Sequence, residues 1–133
     1  MSDRVTVYLE KAEESVAGAK SELVNGRFNN RANRAYYACF QAAVHALRAA
    51  GIRPPAATDR WSHEFVLARF SGDLINRRKI YPADLRGAIE INFRLRLVAD
   101  YGLERVGAVQ AERATRRADR FVAAVAERER RAS

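Results

Sequence analysis

The chain has 133 residues, enough to bury roughly two-thirds of its unfolded surface and to fold as one domain without a metal or disulfide. Hydrophobic residues make up 48% and charged residues 30%, which excludes a disordered chain, and a single cysteine excludes an intrachain disulfide framework. The formal charge is +8, and of 24 basic residues only Lys11, Lys20 and Lys79 are lysine, which leaves 21 arginines.

Two readings fit that imbalance. Arginine suits phosphates and planar bases because its fork donates two hydrogen bonds and its face stacks. An Arg-rich, Lys-poor composition also arises from GC-rich coding. The net charge by itself points only to an anionic partner. No apolar run approaches ~18 residues, so no membrane span is expected. The N-terminal segment is charged too early for a signal peptide, and a cytoplasmic protein is expected.

The first predicted helix covers residues 3–24. Val5, Leu9, Ala12, Val16, Ala19 and Leu23 form its apolar stripe, with Ser2 or Asp3 as cap and Asn25-Gly26 as stop. The second begins near Asn29 as N-cap and runs to about Ala50, where Gly51 and Pro54-Pro55 end it. Its core face carries Phe28, Ala32, Ala35, Tyr36, Cys39, Phe40, Ala43 and Leu47. Its other face carries Asn30, Arg34, Tyr37, Gln41 and Arg48, with His45 beside that line. An ordinary solvated face would hold Lys and Glu; this one holds shaped hydrogen-bonding groups.

After a loop over 52–60, a third helix is predicted from Trp61 or Ser62 to Leu74, with Phe65, Leu67, Phe70 and Leu74 in the core. Asn76 to Lys79 form a basic turn, either a solvated corner or a phosphate contact. Pro82 opens a fourth helix over 83–100, whose apolar contacts are Leu85, Ala88, Ile89, Phe93, Leu97 and Val98. A fifth covers about 109–127 on Ala111, Ala114, Ala118, Phe121 and Val125, with a frayed tail from about residue 128. The whole reads as an all-α, up-and-down bundle of about five helices in a single domain over 1–133.

There is no Gly-rich phosphate loop, no Cys pair and no HExxH, so neither a cofactor nor a metal site is expected. Cys39, on a core face, reads as a small buried hydrophobe. Two sets of specific polar residues remain: Arg34, Tyr37 and Gln41 on the second helix, and Asn92, Arg96, Asp100 and Tyr101 on the fourth. Both sets are expected to line one binding cleft, within a monomer or across a dimer seam. Arg96 and Asp100 also fit an i,i+4 ion pair, and Tyr101 also fits packing at the bundle's end. His63, near a helix start, fits either a capping role or a base supplied with a partner by the fold.

The segments YLEKAEESVAGAKSELVNGRFNNRANRAYYACFQAA, SHEFVLARF and RLRLVADYG, in this order and spacing, resemble HEPN-domain proteins over about residues 7–125. The resemblance implies a helical bundle that pairs as a homodimer. It also implies partnership with a minimal nucleotidyltransferase in toxin–antitoxin-like systems. Many such proteins are metal-independent ribonucleases with an Arg-x4–6-His signature, in which Arg stabilises phosphorane-like charge and His moves the proton. That signature is absent here. No Arg stands four to six residues before His45 or His63, and Arg96 is followed after four residues by Tyr101. Gln41 stands where relatives often carry His. A tyrosine of ordinary pKa near ~10 is a poor base at neutral pH, and glutamine moves no proton. Arg96, Tyr101 and His63 therefore stand as candidates for an atypical ribonuclease. Arg34, Tyr37, Gln41, Asn92, Arg96 and Asp100 stand as a cleft for RNA, a nucleotide or a protein partner, and a purely structural dimerisation module is the third reading.

Overall fold

The structure, a computed structural model, describes residues 3–24, 27–56, 60–102 and 105–132. Helix α1 spans Asp3–Val24 and α2 spans Phe28–Ala49; α3, His63–Arg69, continues into a π-helical segment, Phe70–Arg77. Helices α4, Asp84–Tyr101, and α5, Ala108–Ala132, complete an all-α bundle, with no strand among the described residues. The proposed Ser2 or Asp3 cap, the side chains of Val5 and Leu23, the Asn25-Gly26 stop and Leu103 lie outside what is described.

Helix α2 is the bundle's axis, packed against α1, α4 and α5. Its consecutive residues Ala42 to Leu47 are all buried. A helix with two faces, one of them solvated, describes only its first half. The second half is enclosed all round, and the run of alanines lets three neighbours approach it closely. His45, placed beside a polar line by its spacing, is only 2% exposed and bonds through Nε2 to Glu129 of α5 at 2.8 Å.

The largest core side chains come from elsewhere: Phe70 and Tyr81 stack at 5.1 Å, and Phe70 meets Phe121 at 5.0 Å. Full burial of one such side chain contributes about 1.5–3 kcal/mol. Burial also pushes the Tyr81 phenol up to about 12 and the Cys39 thiol up to about 12, so Cys39 is a packed thiol with no nucleophilic character near neutrality.

Several local expectations are corrected. Asn29 does not cap α2; the helix starts after Arg27 without a side-chain cap, and Asn29 Oδ1 instead accepts from the Val106 amide at 3.1 Å, tying α2 to the start of α5. The third helix does not run regularly to Leu74. Its i→i+4 ladder widens at Phe70 and closes with Arg78 N–H bonding Asp73 O at 2.8 Å. Asp73 is clamped there by Arg69 and Arg77, which hold its carboxyl below the usual range. The basic turn 76–79 is exposed, as a solvated corner would be; Arg78 reaches the Ala50 carbonyl at 3.4 Å, Arg86 bonds Asn76, and Lys79 takes a left-handed φ of 54°.

Helix α5 is drawn out to Ala132, with Glu127 bonding both Arg130 and Arg131 and Glu129 bonding His45. On α4, Leu97 and Val98 are each 37% exposed, whereas Leu95 and Asn92 are buried. The buried strip is Leu85, Ala88, Ile89, Asn92 and Leu95, which puts an asparagine in the centre of the α4 core face.

Candidate functional site

The two polar sets do not form one cleft. Asn92 is fully buried on the side of α4 that meets α5. Its Nδ2 donates to the Ala114 carbonyl at 3.1 Å and to Cys39 Sγ at 3.6 Å, and its Oδ1 accepts from Arg117 Nε at 2.9 Å. Every hydrogen-bonding atom of that carboxamide is in use, which makes Asn92 a core brace and removes it from the cleft. Four-residue spacing aligned it with Arg96, but successive i+4 steps drift by about 40° around a 3.6-residue helix, and the core edge falls between the two.

Gln41 is engaged with α1. Its carboxamide lies 2.8 Å from the Ser15 hydroxyl, and the orientation with nitrogen on that side also donates to the carbonyls of Lys11 at 3.1 Å and Tyr37 at 3.2 Å. It stitches α1 to α2. Tyr101, at the last position of α4, is 76% exposed.

The remaining residues do gather, around two adjacent tyrosines. Tyr36 and Tyr37 meet edge to face at 5.2 Å. The Arg96 guanidinium lies over both rings, at 5.4 Å from Tyr36 and 5.3 Å from Tyr37. Asp100 stands 3.3 Å from Arg96 Nε as an ion pair, and both its oxygens accept from Asn33 Nδ2 at 3.2 Å. Asp100 thus does two things: it pairs with Arg96 and ties α4 to α2.

On the far side of Tyr37, Arg34 lies across Gly18 of α1. A Cβ at Gly18 would sit 2.8 Å from Arg34 Cδ, so the absent side chain is what admits the arginine stem. Arg34, Tyr37, Asn30 and Ser15 line an open groove there. Tyr37 is 37% exposed and separates the two arginines.

His63 completes the inner side. Ser62 caps α3 by accepting from the Phe65 amide at 3.1 Å, which fixes the helix start and points the next residue into the bundle. The imidazole stacks on Phe93 at 3.7 Å and 15°, with Nδ1 3.1 Å from the Tyr36 hydroxyl and Nε2 3.7 Å from Glu90 Oε1. Tyr36 Oη and His63 Nδ1 thus share one hydrogen bond, whose direction follows the imidazole tautomer. Burial lowers the His63 pKa from its usual 6.5, with Glu90 and Glu64 opposing, and burial raises the Tyr36 phenol, with Arg96 opposing. Near neutrality both groups are uncharged, and Arg96 supplies the positive charge.

Two buried polar atoms of this cluster lack a hydrogen-bond partner, Glu90 Oε1 and Arg96 Nε. Such atoms carry a desolvation cost unless something fills them. Among the described residues no group of three or more His, Cys, Asp or Glu side chains stands together as a metal cage.

Tyr36, Glu90 and Phe93 are the site residues that sequence reasoning did not single out. Tyr36 and Phe93 read as core by spacing. The available signal was the Tyr-Tyr pair, which puts one ring inside and one at the surface of the same helix. No curated protein matches the chain. The model of the HEPN domain matches residues 5–129, from the first turn of α1 almost to the end of α5, and the chain belongs to the HEPN-domain family.

Proposed function

We propose that this HEPN protein binds RNA through the strip Arg34–Tyr37–Arg96, as a non-cleaving component of a nucleotidyltransferase-paired, toxin–antitoxin-type system. The observation that carries this reading is the Arg96 guanidinium held over the Tyr36 and Tyr37 rings, with Tyr37 open to solvent and Arg34 beyond it. A cation on an aromatic platform takes a stacked base and its phosphate together, and such stacking contributes about 1–3 kcal/mol per base. The proposed pairing with a nucleotidyltransferase and the proposed homodimer are supported by the family resemblance alone.

The chemistry of the strip favours holding over cutting. His63 has Nδ1 engaged by Tyr36 and its ring stacked on Phe93, which ties the imidazole into the bundle. Tyr101, in the place of the signature histidine, contacts no group of the cluster among the described contacts. The test is fluorescence anisotropy of a labelled single-stranded oligoribonucleotide, with gel analysis of the same samples. The expected result is binding that Arg96→Ala weakens about tenfold, with the RNA intact. Equal binding by wild type and Arg96→Ala contradicts the reading.

One observation favours a second reading, an atypical ribonuclease: Arg96 and His63 share the Tyr36 ring although no Arg-x4–6-His spacing joins them. RNA cleavage lost in both Arg96→Ala and His63→Gln would select it.

A further inference from the structure

The flank of α4 turned away from the tyrosine strip carries a different surface. Ile91 is 46% and Val98 37% exposed, and with the buried Leu95 between them they stand at i, i+4 and i+7 along one side of the helix. That side forms a groove with α5 whose charged lining is Arg94, Arg113 and Arg117.

The two α5 arginines are one turn apart and repel each other. Neither has a carboxylate partner among the described contacts, whereas Arg94 pairs with Glu90 at 3.8 Å. Arg117 is also partly desolvated, which lowers its pKa, and its Nε is fixed on Asn92, itself fully buried. An arginine held in place by a neutral carboxamide, beside a second unpaired arginine and an aliphatic stripe, leaves cationic donors without anions next to uncovered apolar surface. The exposed aliphatic side chains are the part of this surface that costs free energy in water.

We propose that the α4–α5 groove docks an acidic amphipathic helix of a partner protein. Its aliphatic side chains would cover Ile91 and Val98, and its carboxylates would meet Arg113 and Arg117. Charge complementarity chooses this occupant. A second copy seated on the same groove by a twofold axis would bring arginine against arginine. A nucleic acid would find aliphatic side chains where bases need aromatic ones. This surface is independent of the RNA-binding reading, since it lies on the other flank of α4 from Arg96.

The test is selection from a displayed library of helical peptides with fixed aliphatic i, i+4, i+7 positions and randomised charge. Wild type is compared with Ile91→Asp and Arg113→Glu, both at exposed positions that leave the core intact, as circular dichroism would verify. The expected result is enrichment of acidic peptides, at least about tenfold weaker on either variant, with Arg113→Glu shifting the preference toward basic sequences. Three results overturn the proposal: enriched peptides that are neutral or basic, no enriched peptide sensitive to Ile91→Asp, or sedimentation showing that Ile91→Asp dissociates a wild-type homodimer. Competition of enriched peptides by oligoribonucleotide, unaffected by Arg96→Ala, would equally overturn it by assigning the groove to RNA.

Discussion

Helix α4 carries two polar clusters on neighbouring faces, and they differ in one respect. Around Asn92 every side-chain hydrogen-bonding atom of the carboxamide has a partner: Ala114, Cys39 and Arg117. Around Arg96 two buried atoms lack one, Arg96 Nε and Glu90 Oε1, although aromatic rings and Asp100 hold the groups in place. A closed network rigidifies a core; an open one keeps hydrogen-bonding capacity for a further partner. Residue type does not separate the two, since each contains an arginine and a carbonyl-bearing side chain. Satisfaction does.

The largest effect expected from this contrast is on stability at Asn92. Asn92→Ala removes a donor from the Ala114 carbonyl, strands Arg117 Nε and opens a cavity, and should lower unfolding free energy by about 2–4 kcal/mol in a urea titration. The same substitution should leave oligoribonucleotide affinity of the folded protein unchanged within about twofold. A stable Asn92→Ala protein that fails to bind would erase the distinction between the clusters.

Gln41 sharpens the contrast at a smaller scale. Gln41→Ala loses the stitch to Ser15 and Lys11, and a loss of about 1 kcal/mol is expected by the same titration, again without effect on RNA binding. If Gln41→Ala abolished binding at unchanged stability, the carboxamide would belong to the ligand site after all.

His63 supplies a pH signature. Its folded pKa is depressed by burial, so below the usual 6.5 the unfolded chain takes up the proton first. Stability should therefore fall as pH drops from 7 through 6.5 toward 5. The shifted carboxyls of Asp73, Asp84 and Glu127, each held down by an arginine, lose their contribution only at lower pH, as each passes toward its own depressed pKa. Melting temperatures of His63→Asn should be flatter than wild type between pH 7 and 5. A wild-type curve already flat over that window would contradict a buried neutral imidazole. The smallest effect belongs to Tyr101: Tyr101→Phe should change neither stability nor binding, because the ring is exposed at the helix end.

Much of the bundle was legible in the chain. Period and punctuation placed α1, α2, α4 and the start of α5 to within a few residues, since long apolar stripes and Gly51 leave few alternatives. The widened turn at Phe70 was not legible, because a π-helical segment keeps an apolar pattern close to that of an α-helix. The site was half legible. Arg34, Tyr37, Arg96 and Asp100 follow from the wrong kind of polarity on a helix face. Asn92 and Gln41 look identical to them in sequence and differ only in which neighbour the fold brings. Tyr36 and Phe93 were hidden for the opposite reason, as aromatic residues that serve core and site at once.

The most direct test of the central claim is a double-mutant cycle on RNA affinity, with Tyr37→Ala, Arg96→Ala and the pair. If the guanidinium and the ring form one platform, each single change should weaken binding about tenfold, and the pair should be little worse than either alone. Independent, fully additive losses, or none, would contradict a shared platform and leave Arg96 as an ordinary ion pair with Asp100.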